Sequence, residues 1–190
     1  MRKIIFASLL SILTIYAFGQ EEGKFRGNAG LGVAIPSGGA GFLFNMEGNY
    51  NITDNFNAGV RIGWAIMAKN IETDEDGFAT EADVGANASY LATAEYFFPT
   101  GSAFTPYVGA GLGLYRLASV NTAAAEDVSS EGKFGFMLRG GFEAGKFRFT
   151  AEYNIIGKTE LEDLEGDVIA DIPNSYLGIS VGMFFGGGRW

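Results

Sequence analysis

The feature that most constrains this chain is an alternation of apolar and polar residues with a period of two, repeated in eight separate runs. The clearest run covers residues 146–156, where Phe147, Phe149, Ala151, Tyr153 and Ile155 occupy the odd positions. The even positions from 146 to 154 are all polar. Because successive side chains of a strand point to opposite faces, this spacing predicts a β-strand with one apolar and one polar face.

The other seven runs have the same pattern and are each about ten residues long, the length that a tilted strand needs to cross a bilayer. They cover residues 25–35, 42–50, 56–66, 84–98, 108–114, 134–142 and 174–185. The connections after the second, fourth and sixth runs are short, whereas those after the third, fifth and seventh are long and polar. Short turns on one rim and longer loops on the other are typical of outer-membrane barrels.

Residues 1–19 have the pattern of a cleaved secretory signal peptide, which leaves 20–190 as the exported domain that holds all eight runs. Arg2 and Lys3 form a basic start, residues 4–16 are apolar, and Ala17 and Gly19 are small residues before the expected cleavage site. The apolar run is too short for a transmembrane helix, which needs about 20 apolar residues.

Alternation alone does not say whether the apolar face points outward to lipid, or inward as in a soluble lipocalin-like carrier. The polar face of the fifth run favours the first arrangement, since it consists of Tyr107, Gly109, Gly111, Gly113 and Tyr115. A surface in water favours Lys, Glu and Thr over a row of glycines, whereas small residues suit the narrow lumen of an eight-stranded barrel. We therefore expect an all-β fold, an eight-stranded antiparallel up-and-down transmembrane β-barrel.

Charged residues of both signs occur on the predicted lumen face. They are Arg26, Glu47, Arg61, Glu95, Arg139, Arg148 and Glu152. Because desolvated charges must be paired, their near balance predicts an ion-pair network that plugs the lumen. With a turn centred near Asp54, Glu47 is expected directly opposite Arg61. The alternative is that these are solvated charges on a protein surface.

Acidic residues concentrate in the long connections 68–82, 117–132 and 158–172, which hold 14 of the 22 acids. Within the third of these, Asp163, Glu165 and Asp167 are spaced by two and form a candidate weak cation-binding loop, because carboxylate oxygens are the ligands that Ca²⁺ takes. The alternative is that these acids only solubilise exposed loops.

The residue types missing from the chain exclude several kinds of chemistry. His and Cys are both absent, which removes Ser-His hydrolases, thiol nucleophiles, thiolate zinc sites and the commonest transition-metal ligand. The formal net charge of −9 argues against nucleic acid as a partner, because phosphates require Lys and Arg. We expect neither enzymatic activity nor a cofactor.

The end of the chain adds a resemblance to a known class. Before the terminal Trp190, the residues Tyr176, Leu177, Val181 and Met183 resemble the C-terminal signal by which the outer-membrane assembly machinery selects its clients. Over all of 20–190, the chain resembles the small eight-stranded outer-membrane barrels of the OmpA/OmpX/opacity type. The resemblance implies the outer membrane of a Gram-negative-type cell, with outer-membrane lipid, lipopolysaccharide and the assembly machinery as partners.

Together these features predict a non-enzymatic integral outer-membrane protein with a polar, plugged lumen. Its acidic extracellular loops are expected to contact divalent cations, lipopolysaccharide or partner molecules. A narrow channel for ions or small solutes is the first alternative, because lumen glycines could leave the interior incompletely filled. A soluble lipocalin-like carrier is the second.

Overall fold

The computed structural model describes residues 21–73, 79–100, 104–121, 129–162 and 168–187. The regular structure in these ranges is all β-strand. The strands are β1 Phe25–Pro36, β2 Gly39–Thr53, β3 Phe56–Thr73, β4 Ala79–Phe97, β5 Phe104–Asn121, β6 Ser129–Ala144, β7 Phe147–Ile156, β8 Thr159–Glu162, β9 Val168–Ile172 and β10 Tyr176–Gly186. No helix within the described ranges is long and apolar enough to cross a membrane.

Eight of the strands close into a barrel in the order β1-β10-β7-β6-β5-β4-β3-β2, and every neighbouring pair is antiparallel. The predicted eight-stranded up-and-down barrel is therefore confirmed. β8 and β9 form a separate hairpin within the connection between β7 and β10. This hairpin was not predicted, because strands of four and five residues offer too few positions to show a period of two.

The strand registers determine the tilt and the width of the barrel. A row of paired residues that starts at Arg116 runs once around the wall and returns to β5 at Pro106, ten residues away (116 to 106). The row passes through Ala88, Trp64, Phe44, Leu31, Val181, Phe149 and Phe142. In an eight-stranded barrel this stagger corresponds to a strand tilt of about 41° and a backbone radius of about 8 Å, a lumen that side chains can fill.

The barrel has two distinct ends. The short-turn end carries the connections 54–55, 98–103 and 145–146. The long-loop end carries 37–38, 74–78, 122–128 and 157–175, and there β3, β4 and β5 extend beyond the level of Arg116, so their connections project further from the wall. Along the row from Arg116, each step to the next strand descends about 3 Å towards the short-turn end, and each residue along a strand changes height by about 2.5 Å. Arg116 and Pro106 are therefore about 25 Å apart along the axis, the height of the apolar band in an outer-membrane barrel.

The two faces of the wall differ in chemistry, and the apolar face is outside. Phe42 and Leu31 are 79% and 64% exposed, and large apolar side chains of this kind cover the outer face of all eight barrel strands. Arg61 and Arg148, by contrast, are each 1% exposed and lie inside. The predicted orientation of the faces is confirmed, and it is the opposite of what a soluble lipocalin-like carrier requires.

The turn between β6 and β7 differs from the prediction. The sequence pattern favours a turn at residues 144–145, with Phe142 opposite Phe147. In the structure Phe142 pairs with Phe149, and the turn consists of Gly145 and Lys146. Gly145 has a φ of +60°, which a two-residue hairpin turn requires and glycine adopts without strain. β6 is therefore longer than predicted, and this length extends its lumen face by one more position, Glu143.

Candidate functional site

Among the side chains that the structure describes, eight charged ones are buried in the lumen, and their charges balance. They are Arg26, Glu47, Arg61, Glu95, Arg139, Glu143, Arg148 and Glu152, each at most 7% exposed. Every one alternates along its strand with outward-facing residues, so the pleat of the strand is what aims it inward. Four cations and four anions in one enclosed space can neutralise one another without help from solvent.

Six of these side chains form one continuous chain of alternating charge. It begins near the short-turn end, where Nη2 of Arg26 pairs with Oε1 of Glu143. The same Glu143 oxygen lies 3.5 Å from Nη1 of Arg148. Nη2 of Arg148 forms a close ion pair with Oε1 of Glu95. Glu143 is therefore shared between Arg26 and Arg148, and Arg148 connects it to Glu95.

The chain continues from Glu95 through Arg139 to Glu47. Nη2 of Arg139 lies 2.8 Å from Oε1 of Glu95. The same guanidinium donates to both oxygens of Glu47, from Nη1 to Oε2 at 2.6 Å and from Nη2 to Oε1 at 2.5 Å. The hydroxyl of Thr93 also donates to Oε1 of Glu47, at 2.7 Å. Bidentate, charge-assisted hydrogen bonds are strong and directional, so this end of the chain is held in one geometry.

Arg61 and Glu152 form the remaining pair. Nη2 of Arg61 donates to Oε1 and Oε2 of Glu152 at 2.8 and 2.9 Å. Nδ2 of Asn154 donates to Oε1 of Glu152 at 3.0 Å, and the hydroxyl of Tyr115 donates to Oδ1 of Asn154 at 2.8 Å. These bonds tie the ion pair to the inner faces of β5 and β7.

Aromatic rings surround the cations nearest the short-turn end. The guanidinium carbon of Arg26 lies 3.9 Å from the ring centre of Phe184 and 5.2 Å from that of Phe97. The guanidinium carbon of Arg148 lies 4.0 Å from the ring centre of Tyr107. The rings of Phe97 and Tyr107 are themselves stacked, with centroids 5.4 Å apart. Cation–π contacts strengthen where water is excluded, and here they hold the two guanidinium groups against the rings of Phe184, Phe97 and Tyr107.

The half of the lumen towards the long-loop end is mainly apolar instead, although the buried Asn87, Ser89 and Asn154 also face it. One buried cluster fills it, consisting of Ala34, Leu43, Ala65, Met67, Leu91, Tyr115, Met137, Ile156 and Tyr176. By register, the cluster lies within about 11 Å of the level of Arg116, whereas the eight charged residues lie about 12–25 Å below that level. The polar lumen expected from the sequence is thus polar mainly in one half. The sequence prediction treated the lumen face of each strand as uniformly polar, so it did not show that the ion pairs and the apolar cluster lie at different heights.

Several buried polar atoms in the lumen have no protein partner within the described part of the chain. Both amide atoms of Asn49, Asn57 and Asn87 are unpaired, and so are Nε and Nη1 of Arg61. Because buried polar groups in native proteins are nearly always hydrogen-bonded, these atoms are suited to bind ordered water. Asn49, Asn57 and Arg61 lie in the ion-pair half, whereas Asn87 lies by register near the level of Arg116, so both halves offer buried polar atoms to water.

The structure places all seven lumen residues named from the sequence on the inner wall, and each of them makes an ion pair. Glu143 completes the set and was missed, because the sixth run was ended at Phe142. Glu47 lies opposite Arg61 in the register, as expected, but the two residues pair with other partners.

The candidate cation-binding loop of Asp163, Glu165 and Asp167 lies outside the described residues, so it stays a prediction. Within the described ranges, no group of three or more acidic side chains is arranged to hold a metal ion.

Comparison with known proteins identifies the family. The model of the outer membrane protein beta-barrel domain matches residues 5–185. The chain belongs to this family. Outer membrane protein W of Escherichia coli (strain K12) is 29% identical over 125 residues, which span 59% of this chain and 59% of that protein.

Two solved structures have the same fold. Neisserial surface protein A aligns with a TM-score of 0.56 and 19% identity, over 86% of this chain and 96% of the other. OprG from Pseudomonas aeruginosa aligns with a TM-score of 0.51 and 14% identity, over 88% and 98%. At these identities the likeness concerns the fold alone.

Family membership places the protein in the outer membrane of a Gram-negative cell, as the sequence predicts. The resemblance to small eight-stranded outer-membrane barrels is likewise confirmed. Barrels of this kind turn their short connections to the periplasm and their long loops outward. The ion-pair half of the lumen is therefore the periplasmic half, and the apolar cluster is the extracellular half.

Proposed function

We propose that this protein is a non-enzymatic outer-membrane barrel with a closed lumen, which anchors its extracellular loops in the membrane. The observation that carries the proposal is the unbroken chain of ion pairs from Arg26 to Glu47, below an apolar cluster. The absence of His and Cys from the sequence supports the non-enzymatic part.

The two halves of the lumen oppose conduction by different means. An ion that enters from the periplasm has to displace a buried charge from its partner, and leaving a buried ion unpaired costs about 3–5 kcal/mol. An ion that passes this layer then meets the apolar cluster, whose side chains offer few polar atoms to replace its water. Two successive barriers of unlike chemistry support a closed lumen.

Single-channel recording in planar lipid bilayers tests this proposal. The refolded wild-type protein is expected to give no steady, discrete openings above the protein-free bilayer. A matched control variant, Leu91→Ala with Met137→Ala, thins only the apolar cluster, and the ion-pair chain should still keep it closed. Regular openings of the wild-type protein would show that the lumen conducts and would refute the closed-lumen proposal.

A narrow conduit for ions or small solutes is the second candidate. It is favoured by the unpaired amides of Asn49 and Asn57, which lie buried in the lumen. Water bound at such groups is what a narrow polar path would require. The same recordings separate the two candidates: a conduit would show openings, and their conductance would fall in Gly111→Ala.

The second part of the proposed function concerns the acidic connections at the long-loop end. We infer that they contact divalent cations, lipopolysaccharide or partner molecules, because 14 of the 22 acids lie in the three long connections. A Ca²⁺ titration followed by thermal unfolding tests the cation part. The wild-type protein should be stabilised, and the triple variant Asp163→Asn, Glu165→Gln, Asp167→Asn should respond less. Equal responses would leave these acids with a solubilising role only.

A further inference from the structure

Arg116 is a charged residue on the face of the barrel that meets lipid. It lies on β5 and is exposed, between the outward-facing Leu114 and Ala118. Among the outward-facing barrel side chains that the structure describes, it is the only charged one. A charge on the lipid face is unfavourable at the centre of the membrane and is tolerated near its surfaces. The height of Arg116 in the membrane therefore determines whether its charge meets hydrocarbon or lipid headgroups.

The register places Arg116 at the extracellular edge of the apolar band. Its row of pairings descends about 25 Å to Pro106 at the periplasmic edge, which is the full height of such a band. Trp64, Tyr90 and Tyr153 are exposed on the outer wall, and by register they lie about 6–9 Å below Arg116. Tyr and Trp mark the boundary between hydrocarbon and headgroups, so Arg116 lies at headgroup level in the outer leaflet.

The surroundings of Arg116 leave its guanidinium open to the membrane. Its cross-strand neighbours on the outer face are Ala88 and Gly132, two of the smallest residues. A β-carbon built at Gly132 would have no atom within 4 Å, so the wall position next to Arg116 is uncrowded. Within the described residues Arg116 makes no ion pair, so none of the carboxylates described there neutralises it.

We propose that Arg116 binds a phosphate group of a phosphorylated glycolipid in the outer leaflet. The planar guanidinium matches phosphate oxygens in a bidentate manner, and the small neighbours allow a bulky headgroup to approach from the side. Leu114, Tyr90 and Phe134 below it are exposed and apolar, and they provide a surface for the acyl chains of the same lipid. The site depends on the membrane location of the barrel and not on whether its lumen is closed.

Binding of purified lipid A to the detergent-solubilised full-length protein tests the proposal. The probes are lipid A that carries both phosphates and lipid A from which the phosphates have been removed. The variant Arg116→Gln removes the proposed contact. Lys24→Gln is the matched control, because Lys24 is an exposed cation just before β1 at the periplasmic end. Heat-modifiable migration on a detergent gel checks that each variant is folded.

The expected result is that Arg116→Gln binds phosphorylated lipid A about fivefold more weakly than the wild-type protein, the effect of one interfacial cation. Lys24→Gln should bind as the wild type does. The wild-type protein should bind dephosphorylated lipid A as weakly as Arg116→Gln binds the phosphorylated form. Equal binding of both lipids by the wild-type protein would overturn the proposal, whatever the variants do. An Arg116→Gln affinity equal to that of Lys24→Gln would also overturn it.

Discussion

Glu47 and Arg61 face each other directly across the β2–β3 register, yet each forms its ion pair on the far side of the lumen. Arg61 reaches Glu152 on β7, and Glu47 reaches Arg139 on β6. In the closed order of eight strands, β3 and β7 are four strands apart, and so are β2 and β6. Both pairs therefore cross the full width of the barrel and connect opposite walls.

Removing one end of such a connection should destabilise the barrel strongly. In Glu152→Gln, Arg61 remains buried without an anionic partner, which should lower the free energy of unfolding by about 3 kcal/mol. Urea unfolding of the protein in lipid vesicles measures this. The double variant Arg61→Met with Glu152→Leu should recover part of the loss, because no charge is left unpaired. A Glu152→Gln barrel as stable as the wild type would show that the pair is not needed.

The alternation of residues along a strand shows which side chains face the lumen, but it does not show which partners they contact there. Glu47 and Arg61 were expected opposite each other because a turn near Asp54 determines which residues are neighbours on the wall. Which residues meet across the lumen depends on the ten-residue stagger of the whole barrel, and this appears only when all eight registers are known. The family and the faces could be predicted from the chain, whereas the ion-pair partners could not.

Two lumen-facing glycines should respond differently to the same added methyl group. At Gly141 a β-carbon would lie 1.9 Å from the carbonyl oxygen of Phe149, which is backbone and cannot move aside. At Gly111 the nearest atom is Cε of Met137 at 3.1 Å, the flexible end of a side chain. We expect Gly141→Ala to cost at least about 2 kcal/mol of unfolding free energy and Gly111→Ala less than about 1. Equal costs in the same urea titration would contradict this packing.

The position of the β6–β7 turn shows a second limit of prediction from sequence. The apolar face is even-numbered in β6 and odd-numbered in β7, so a turn of even length keeps both faces aligned, and both 144–145 and the observed Gly145–Lys146 have that length. Parity cannot distinguish them, because a shift of the register by two residues leaves every side chain on the same face. Because the turn was predicted one residue too early, Glu143 was missed as a lumen residue. In the structure it joins Arg26 to Arg148.

A charge placed on the middle of the outer wall should be far less tolerated than one at its extracellular edge. Leu112 is exposed and by register lies about 10 Å below Arg116, close to the middle of the apolar band. Leu112→Arg should therefore cost about 2–4 kcal/mol, whereas Ala118→Arg, on the same face of the same strand but above Arg116, should cost at most about 1. Folding yield and urea unfolding in vesicles measure both. Leu112→Arg that folds as well as Ala118→Arg would mean that this face does not meet lipid.

Phe97 and Phe98 are neighbours in the chain but lie on opposite sides of the wall, which makes them a matched pair. Phe97 is fully buried in the lumen between Arg26 and Tyr107, whereas Phe98 is 45% exposed on the outer side. Phe97→Ala should lower the free energy of unfolding by about 3–5 kcal/mol, because it leaves a cavity and removes a ring from the guanidinium of Arg26. Phe98→Ala should cost about 1 kcal/mol or less, since lipid chains can fill the space that the ring leaves. The comparison is made by urea unfolding in vesicles, with heat-modifiable migration as a check of folding. A larger loss for Phe98→Ala than for Phe97→Ala would reverse the assignment of inside and outside at this end of β4.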